Sequence, residues 1–440
     1  MVRRISASWL PATTFICVSL FGYSDLPAQQ TSPASPGKDP TIRVNVDSVL
    51  VPVVVRDAQG RVIGNLTKED FQVFDRGKGQ KISGFTVETR ASTGTIPSAV
   101  TPATGATSGA AAPPAFPSPD VQGPPRCTVL LFDDMHLNEG DLMRAKAVGT
   151  KLLTAPLGKR EAVAVVSASG SNSGLTQNSA KLREAVAELT VKNLYRKVGP
   201  NCPDISYYEA DLLVNKRDLA ALEDAIANYV SCSNSSGLTH DIARRAVETA
   251  AMHELELGDQ DARVSLLFIG DLVLRMRSLP CRRTLVLVSP GFLAITPEST
   301  AEKSIILNQA AGANVTINTL DARGLYTTEI DADDRGARST LELLNGMATE
   351  HHRETVQRAE NVLGELANGT GGTYFHNNND LQDGLQQLIA GPEYLYVLEF
   401  SLDGVKRDES YHALSVKVNR PGVTVQARSG YFAPAKEKGK

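Results

Sequence analysis

Four short apolar segments constrain this chain more than anything else in it: residues 128–132, 162–166, 284–288 and 315–320. Each is built mostly of Val, Leu, Ile, Phe, Ala and Thr, so neither face suits water. At five or six residues, each is far too short to cross a bilayer. A strand that is apolar on both faces must be covered on both, as in a parallel sheet between helices. The intervening sequence carries helical spacing. Leu212, Leu219, Leu222, Ile226 and Tyr229 share one face, as do Leu381, Leu385, Leu388 and Ile389. Leu363 and Leu366 close another helix, with Gly369 in the place of a C′ glycine. A further short strand is predicted at 373–375. Residues 126–390 are therefore predicted to be an α/β domain with a doubly wound, mostly parallel sheet. Residues 195–258 are long for one crossover and carry helices of their own, so they are read as an insertion.

The flanks have a different period. Residues 49–55 form a β-branched run, and Phe71 and Val73 alternate with polar neighbours. Residues 67–70 read as a short capped turn. Residues 394–400 return to β structure. Leu414, Val416 and Val418 alternate, then Val423, Val425 and Ala427 after Arg420-Pro421-Gly422, which predicts a hairpin with one buried face. Neither flank alone is large enough for a core. Residues 41–90 and 391–435 are therefore predicted to pack together as one small β-sandwich, with the α/β domain inserted between them. Residues 91–125 are Ala, Thr, Ser, Gly and Pro with Asp120 as the sole charge, a composition expected of a disordered linker.

The N-terminus reads as a secretory signal over residues 1–28, followed by a flexible lead-in over 29–40. Arg3 and Arg4 precede a largely apolar stretch, and Leu26-Pro27-Ala28 stands before Gln29 as a cleavage site. The paired arginines are an isolated twin-arginine feature, and retention as a short membrane anchor is the alternative. Beyond this stretch no apolar run is long enough to span a bilayer. Export, secreted or periplasmic, places the cysteines in an oxidising compartment. Cys202 and Cys232 flank one helical segment and are expected to pair, contributing roughly 3–4 kcal/mol by loop closure. Cys127 and Cys281 each precede a predicted strand; they either pair across neighbouring strands or stay as two buried thiols. The formal net charge is -4, which leaves no electrostatic footprint for nucleic acid.

The four apolar segments end on Asp133, Ser167, Ser289 and Asp321. In a doubly wound sheet such ends converge on the rim where ligands bind. Asp133, Asp134, His136 and Asn138 form the densest cluster of ligand-type side chains there. Oxygen donors suit Mg²⁺, Mn²⁺ or Ca²⁺. Adjacent residues on a strand point to opposite faces, however, so the two acids ligate together only if the strand has ended. The alternative has one acid capping the next helix and the other solvated. Enzyme motifs are largely missing. Residues 169–174 carry Asn172 where a nucleophile-elbow serine belongs. No phosphate loop follows the first strand, and Leu257 stands where a zinc-protease helix beginning at His253-Glu254 needs its second histidine. His351-His352 reads as an exposed helix start.

Several motifs carry a family likeness in a consistent order: Val-Leu-Val-Pro-Val-Val-Val (49–55), Leu-Thr-Lys-Glu-Asp-Phe (66–71) and Leu-Leu-Phe-Asp-Asp (130–134). Leu-Val-Leu-Val-Ser-Pro-Gly-Phe (285–292), Leu-Ala-Asn-Gly-Thr-Gly-Gly-Thr-Tyr-Phe (366–375) and Ala-Arg-Ser-Gly-Tyr-Phe (427–432) follow. The α/β region resembles a von Willebrand factor type A (VWA) domain. Residues 41–435 as a whole resemble the VWFA-related proteins of acidobacterial genomes. The resemblance implies a six-stranded, mostly parallel sheet. It also implies a metal-dependent adhesion site, in which the first strand ends in Asp-x-Ser-x-Ser and a later one in Thr-Asp-Gly. Here Met135 and Leu137 replace the hydroxyls, and Pro290 replaces the later acid. Asp133 alone matches clearly, so the site is expected to be degenerate.

The expected function is therefore that of an exported, non-catalytic adhesion or binding protein. Its partner would be a protein or surface polymer, met through the rim of Asp133, Asp134, His136, Asn138, Ser167, Ser289 and Asp321, with no required cofactor. One alternative is a divalent-metal-dependent adhesin or enzyme using Asp133, Asp134 and His136, with Mg²⁺ or Ca²⁺ bound. Another is a structural envelope scaffold.

Overall fold

A computed structural model of the chain describes residues 48–89, 125–192, 202–233, 237–326, 346–407 and 410–433. The expected signal, the lead-in and residues 91–124 of the expected linker lie outside them. The N-terminal alternation gives β1 (Ser48–Arg56), β2 (Phe71–Asp75), β3 (Lys78–Gln80) and β4 (Ile82–Thr89). In β1 the inward set is Val49, Val51, Val53 and Val55, all buried.

The apolar segments become a parallel sheet. Its elements in chain order are β5 (Arg126–Phe132), α1 (Glu139–Leu152), β6 (Glu161–Ser167), α2 (Ser179–Ala187), α3 (Tyr207–Asp211), α4 (Leu219–Ser233) and α5 (His240–Met276). β7 (Arg282–Ser289), α6 (Pro297–Ala313), β8 (Val315–Asp321), α7 (Met347–Thr370), β9 (Tyr374–Phe375) and α8 (Leu381–Ala390) complete it. The strand order is β6-β5-β7-β8-β9, parallel throughout. Among the described residues the sheet has five strands, not the six implied by the resemblance. The sequence supplies four apolar segments and one short strand, and nothing in its periodicity called for a sixth.

Alternate residues go to opposite layers. Leu130, Phe132, Val286, Val288 and Leu320 pack with Leu142, Leu182 and Leu385 from α1, α2 and α8. Val129, Leu131, Leu285, Leu287 and Ile317 pack with Leu266, Val273, Ile306 and Leu363 from α5, α6 and α7. The chain leaves β5 toward β6 on one side and returns to β7 on the other. The strand order therefore reverses at β5, and the crevice outside the ends of β5 and β7 is the switch point where ligands bind in such sheets.

Two helix details differ from expectation. Gly369 is not the cap of α7; the helix runs to Thr370 and Gly371 caps it with φ +76°. Gly369 lies inside the helix, where a Cβ would come 2.6 Å from a Leu307 methyl. Leu219, placed by periodicity on a buried face, is 75% exposed at the first residue of α4. The region expected as an insertion has its own small core of Ile205, Ala210, Ile226, Ala243, Val247 and Ala251. Its last helix, α5, continues past residue 258 into the core under the sheet. At Gly258 a Cβ would come 2.2 Å from the Tyr207 ring, so glycine lets α3 lie against α5.

The C-terminal strands are β10 (Tyr394–Ser401), β11 (Tyr411–Val418), β12 (Thr424–Ala427) and β13 (Gly430–Phe432). They join the N-terminal strands in two antiparallel sheets, β12-β1-β10-β4 and β13-β11-β2-β3. Val51, Val53, Tyr396, Leu398 and Phe400 from the first share one core with Phe71, Val73, Leu414 and Tyr431 from the second. The hairpin expected over 414–427 is a corner between the sheets instead. β11 pairs with β2, while β12 pairs with β1 in the register Val53↔Ala427. Alternation predicts a buried face but says nothing of the partner. Asp75, His412 and Tyr431 form a buried network across β2, β11 and β13, with His412 Nδ1 2.9 Å from Asp75 Oδ1 and the Tyr431 hydroxyl donating to Asp75 Oδ2 at 3.2 Å.

β12 and its continuation meet the C-terminal ends of α6 and α7. Gln426 Nε2 donates to the carbonyls of Gly372 (2.6 Å) and Gly371 (3.2 Å). The buried Arg428 donates to Asn314 Oδ1 at 3.1 Å, at the end of α6 where a cation suits the helix dipole. Burial pulls the Arg428 pKa down to about 10, and Tyr411 opposes that shift.

Both cysteine pairs are bonded: Cys127–Cys281 closes a separation of 154 residues and Cys202–Cys232 one of 30. Loop closure scales with the logarithm of length, giving about 5 kcal/mol for the longer and about 3.5 kcal/mol for the shorter. Replacing Cys127 and Cys281 by Ser is therefore expected to lower the calorimetric Tm more than replacing Cys202 and Cys232.

Candidate functional site

The switch-point crevice lies among four strand ends brought level by register. Phe132 lies beside Ser167 and Val288, and Ser289 lies beside Asp321. Asp133 and Asp134 follow β5 directly, and both are buried. Their carboxylates serve different partners. Asp133 Oδ2 accepts from the Ser289 hydroxyl at 2.6 Å, and His136 Nδ1 is 2.9 Å from each Asp133 oxygen. Asp134 accepts from the Ser169 amide (2.9 Å) and hydroxyl (2.6 Å), so it pins the turn after β6.

His136 is held on both sides. Its Nε2 lies 2.9 Å from Asp261 Oδ2 on α5, and its ring stacks on Phe292 at 5.1 Å and 19°. Burial alone would favour the neutral ring, but Asp133 and Asp261 outweigh it and raise the His136 pKa to about 10. Burial alone would raise the Asp133 carboxyl; the His136 charge and the hydrogen bonds from His136 and Ser289 overcome it and hold the carboxyl below its ordinary range.

The remaining rim residues are also tied within the chain. Ser167 Oγ accepts from the Ser171 amide at 3.0 Å and lies 3.1 Å from Ser169 Oγ. Asn138 caps α1, accepting from the Asp141 amide at 2.8 Å and donating to its carboxylate at 2.9 Å. Arg144 pairs with Asp141 and donates to the Arg323 carbonyl at 3.2 Å. The fully buried Asp321 accepts from Arg323 Nη2 at 2.7 Å and Nε at 3.0 Å. Arg323 also reaches Glu360 Oε1 at 3.2 Å and stacks over Tyr326. Burial raises the Glu360 carboxyl, and Arg323 opposes that shift. Ser289 Oγ additionally accepts from the Gly291 amide at 2.9 Å. Gly291 has φ +85° and lies so close to the Ala359 carbonyl that a Cβ would stand 2.5 Å from its oxygen.

Asp261, Phe292, Ser169, Arg323 and Glu360 complete this network, and none was singled out from the sequence. Asp261 lies 125 residues from His136 on a separate helix, and no local spacing marks it. Arg323 alone carried a signal, as a basic residue two positions after a strand-ending acid. His351 and His352, expected at an exposed helix start, lie half-buried in α7, with His351 Nδ1 3.2 Å from Glu209 Oε1.

The side chains present do not fit Mg²⁺ or Ca²⁺, which take about six or more oxygens around one point. Asp133 and Asp134 bond to separate sets, Met135 and Leu137 are buried apolar side chains, and Pro290 offers no side-chain oxygen. Among the described residues no group of three His, Cys, Asp or Glu side chains is arranged to hold a metal. Also among the described residues, no helix is long and apolar enough to cross a membrane.

Neither a protein-family model nor a curated protein matches this chain. Solved structures that align with it include an aerotolerance-related membrane protein of Bacteroides fragilis NCTC 9343, at 12% identity over 60% of this chain and 98% of that one, with a TM-score of 0.26. The N-terminal domain of TFIIH p34 aligns at 10% identity over 60% and 96%, with a TM-score of 0.26. The pilus adhesin SpaC of Lactobacillus rhamnosus GG aligns at 9% identity over 83% and 48%, with a TM-score of 0.29. At such TM-scores these likenesses carry no argument about family or function.

Two outcomes follow from the geometry. His136 has a folded pKa of about 10 against about 6.5 unfolded. A raised pKa contributes stability that is complete below the unfolded value and is lost as pH rises through the folded one. The gap in urea midpoint between the wild type and His136→Gln is therefore expected to be widest between about pH 5 and 6.5, where the carboxylates are ionised and the imidazole is protonated in both states, and to close progressively toward about pH 10. Asp134→Ala removes both acceptors of Ser169. It is expected to cost about 1–2 kcal/mol in chemical denaturation and to speed hydrogen exchange of the Ser169 amide.

Proposed function

We propose that this chain is an exported, non-catalytic binding protein with a VWA-like α/β domain. It recognises a protein or surface-polymer partner through the carboxyl rim of its parallel sheet, without an obligatory metal. The observation that carries this reading is that the rim's polar groups are fixed by one another. The Ser289 hydroxyl donates to a carboxylate rather than to a histidine base, and the Asp133, Asp321 and Asp141 carboxylates each face a cationic side chain of the same molecule. Such a surface is rigid and internally hydrogen-bonded, which suits recognition better than proton or group transfer. Solvent-facing side chains at this end include Asn138, Glu139, Ser169, Ser171, Asn172 and Leu325, the last 60% exposed. An N-terminus with the pattern of a secretory signal and the two disulfides support an extracytoplasmic location.

The test is affinity capture from the envelope fraction of the source organism, with the wild type and with Glu139→Arg/Leu325→Asp. Capture of a discrete partner is expected to survive EDTA and to weaken by about tenfold or more in the double variant, since a few residues dominate an interface. Capture unaffected by these substitutions, or abolished by EDTA, overturns the reading.

A further inference from the structure

We propose that the cleft between the antiparallel sheets and the amino ends of β7 and β8 binds a small hydroxylated organic acid, with its carboxylate or phosphate group on Thr284, Thr316 and Arg282. This site lies at the opposite end of the parallel sheet from the rim, and it stands whether or not the rim binds a partner. The cleft has a volume of about 700 Å³, in the range of pockets that take small molecules. Residues of β1 and β12 line it on one side and the starts of β7 and β8 on the other, joined by residues of α8.

The strands carry polar side chains here and almost nowhere else along this face. Val286, Val288 and Leu320 pack under α8 as core residues. Two-residue periodicity puts Arg282 and Thr284 of β7, and Thr316 and Asn318 of β8, on that same face nearer the amino ends. Register sets Thr128, Thr284 and Thr316 in one row across β5, β7 and β8. Asn318 is spent on the fold, donating to the Leu388 carbonyl and accepting from the Thr373 amide, each at 2.9 Å. The Thr284 and Thr316 hydroxyls are not: both side chains are half-buried against the cleft, and neither hydroxyl has a hydrogen-bond partner among the described residues. Valine would fill the same space on a strand, so packing does not account for them.

Neighbouring strands stand about 4.8 Å apart. The two hydroxyls are therefore spaced to meet two oxygens of one carboxylate or phosphate group at ordinary hydrogen-bond lengths. Arg282 reaches the same place from two residues earlier. Its Nη1 donates to Glu88 Oε2 at 3.2 Å, and the rest of its guanidinium donors have no partner among the described residues. On the facing wall, Arg56 donates to the Gly60 carbonyl at 3.0 Å and has no carboxylate partner among the described residues, while Asp57 is taken up by Arg61 at 2.8 Å. Arginines outnumber carboxylates in the lining, which favours an anion. Gln387 and Glu393 add donors and acceptors to the lining, which suits hydroxyl groups on the rest of the ligand.

Titration calorimetry on the full chain, at ionic strength matched with NaCl, tests it with glucuronate, glucose 1-phosphate and glucose. Glucuronate or glucose 1-phosphate is expected to bind saturably, the two acids separating a carboxylate site from a phosphate site, and glucose to bind at least about tenfold more weakly. Thr284→Val/Thr316→Val is expected to melt no lower than the wild type, since it removes hydroxyls that bond to nothing in the chain, and to weaken acid binding by about tenfold or more. Arg56→Gln is expected to weaken it as well, and decides alone if the double variant does not fold. The rim substitutions Glu139→Arg/Leu325→Asp are expected to leave acid binding unchanged. Saturable binding of neither acid, binding of glucose as tight as that of the acids, or acid binding untouched by the cleft variants overturns the proposal.

Discussion

Burial of both faces of β5, β7 and β8 is the constraint from which the rest of the α/β region follows. Leu130 and Leu131 are consecutive, point to opposite layers, and are both essentially inaccessible to solvent. Each must be met by a helix, so α1, α2 and α8 lie on one side and α5, α6 and α7 on the other. That enclosure leaves the ends of the strands as the main places where backbone and polar side chains can face outward. The amino ends are occupied by Cys127 and the antiparallel sheets, while the carboxyl ends gather the charged network. The packing of Gly372 shows how tight the arrangement is. A Cβ there would stand 1.9 Å from the Ile317 carbonyl oxygen, so the start of β9 can come against β8 only with glycine.

Much of this was legible in the residues. The apolar segments located the main strands of the parallel sheet, and Leu381, Leu385 and Leu388 marked α8 because a helix writes its buried face at regular spacing. Period-two alternation likewise marked β2, β11 and β12. What it did not specify was partnership. β12 leaves β11 for β1, because the choice depends on which edge lies free in three dimensions. Gly369 and Gly371 make the same point for caps. The sequence pointed to Gly369, but the helix runs on through Thr370 and Gly371, in the left-handed conformation that glycine adopts freely, is the cap.

The rim was legible only in part. The strand-ending Asp133, Ser167, Ser289 and Asp321 were found because parallel topology brings such ends level. Asp133 and Asp134 diverge even though β5 has already ended at Phe132, because Ser289 and His136 hold one and Ser169 the other. The counter-charges were hidden for opposite reasons. His136 is close in sequence but read as one more ligand beside the two acids, whereas its bonds make it the charge between two carboxylates. Asp261 is distant in sequence and sits on a helix whose spacing reports only its apolar face. Long-range electrostatic pairs leave no periodic trace, which is why the apolar architecture was easier to read than the charges on top of it.

The Cys127–Cys281 bond has a consequence for the chemical integrity of the molecule. It ties the chain just before β7 to the chain within β5, and everything between them, including α1, β6 and all of α3 and α4, becomes a closed covalent ring. The Cys202–Cys232 bond closes a smaller ring inside the first. A protease that cuts the surface of the 195–258 region once cannot release a fragment while the outer bond is intact. Such a nicked molecule would keep its parallel sheet and its rim, and would come apart into two chains only when reduced.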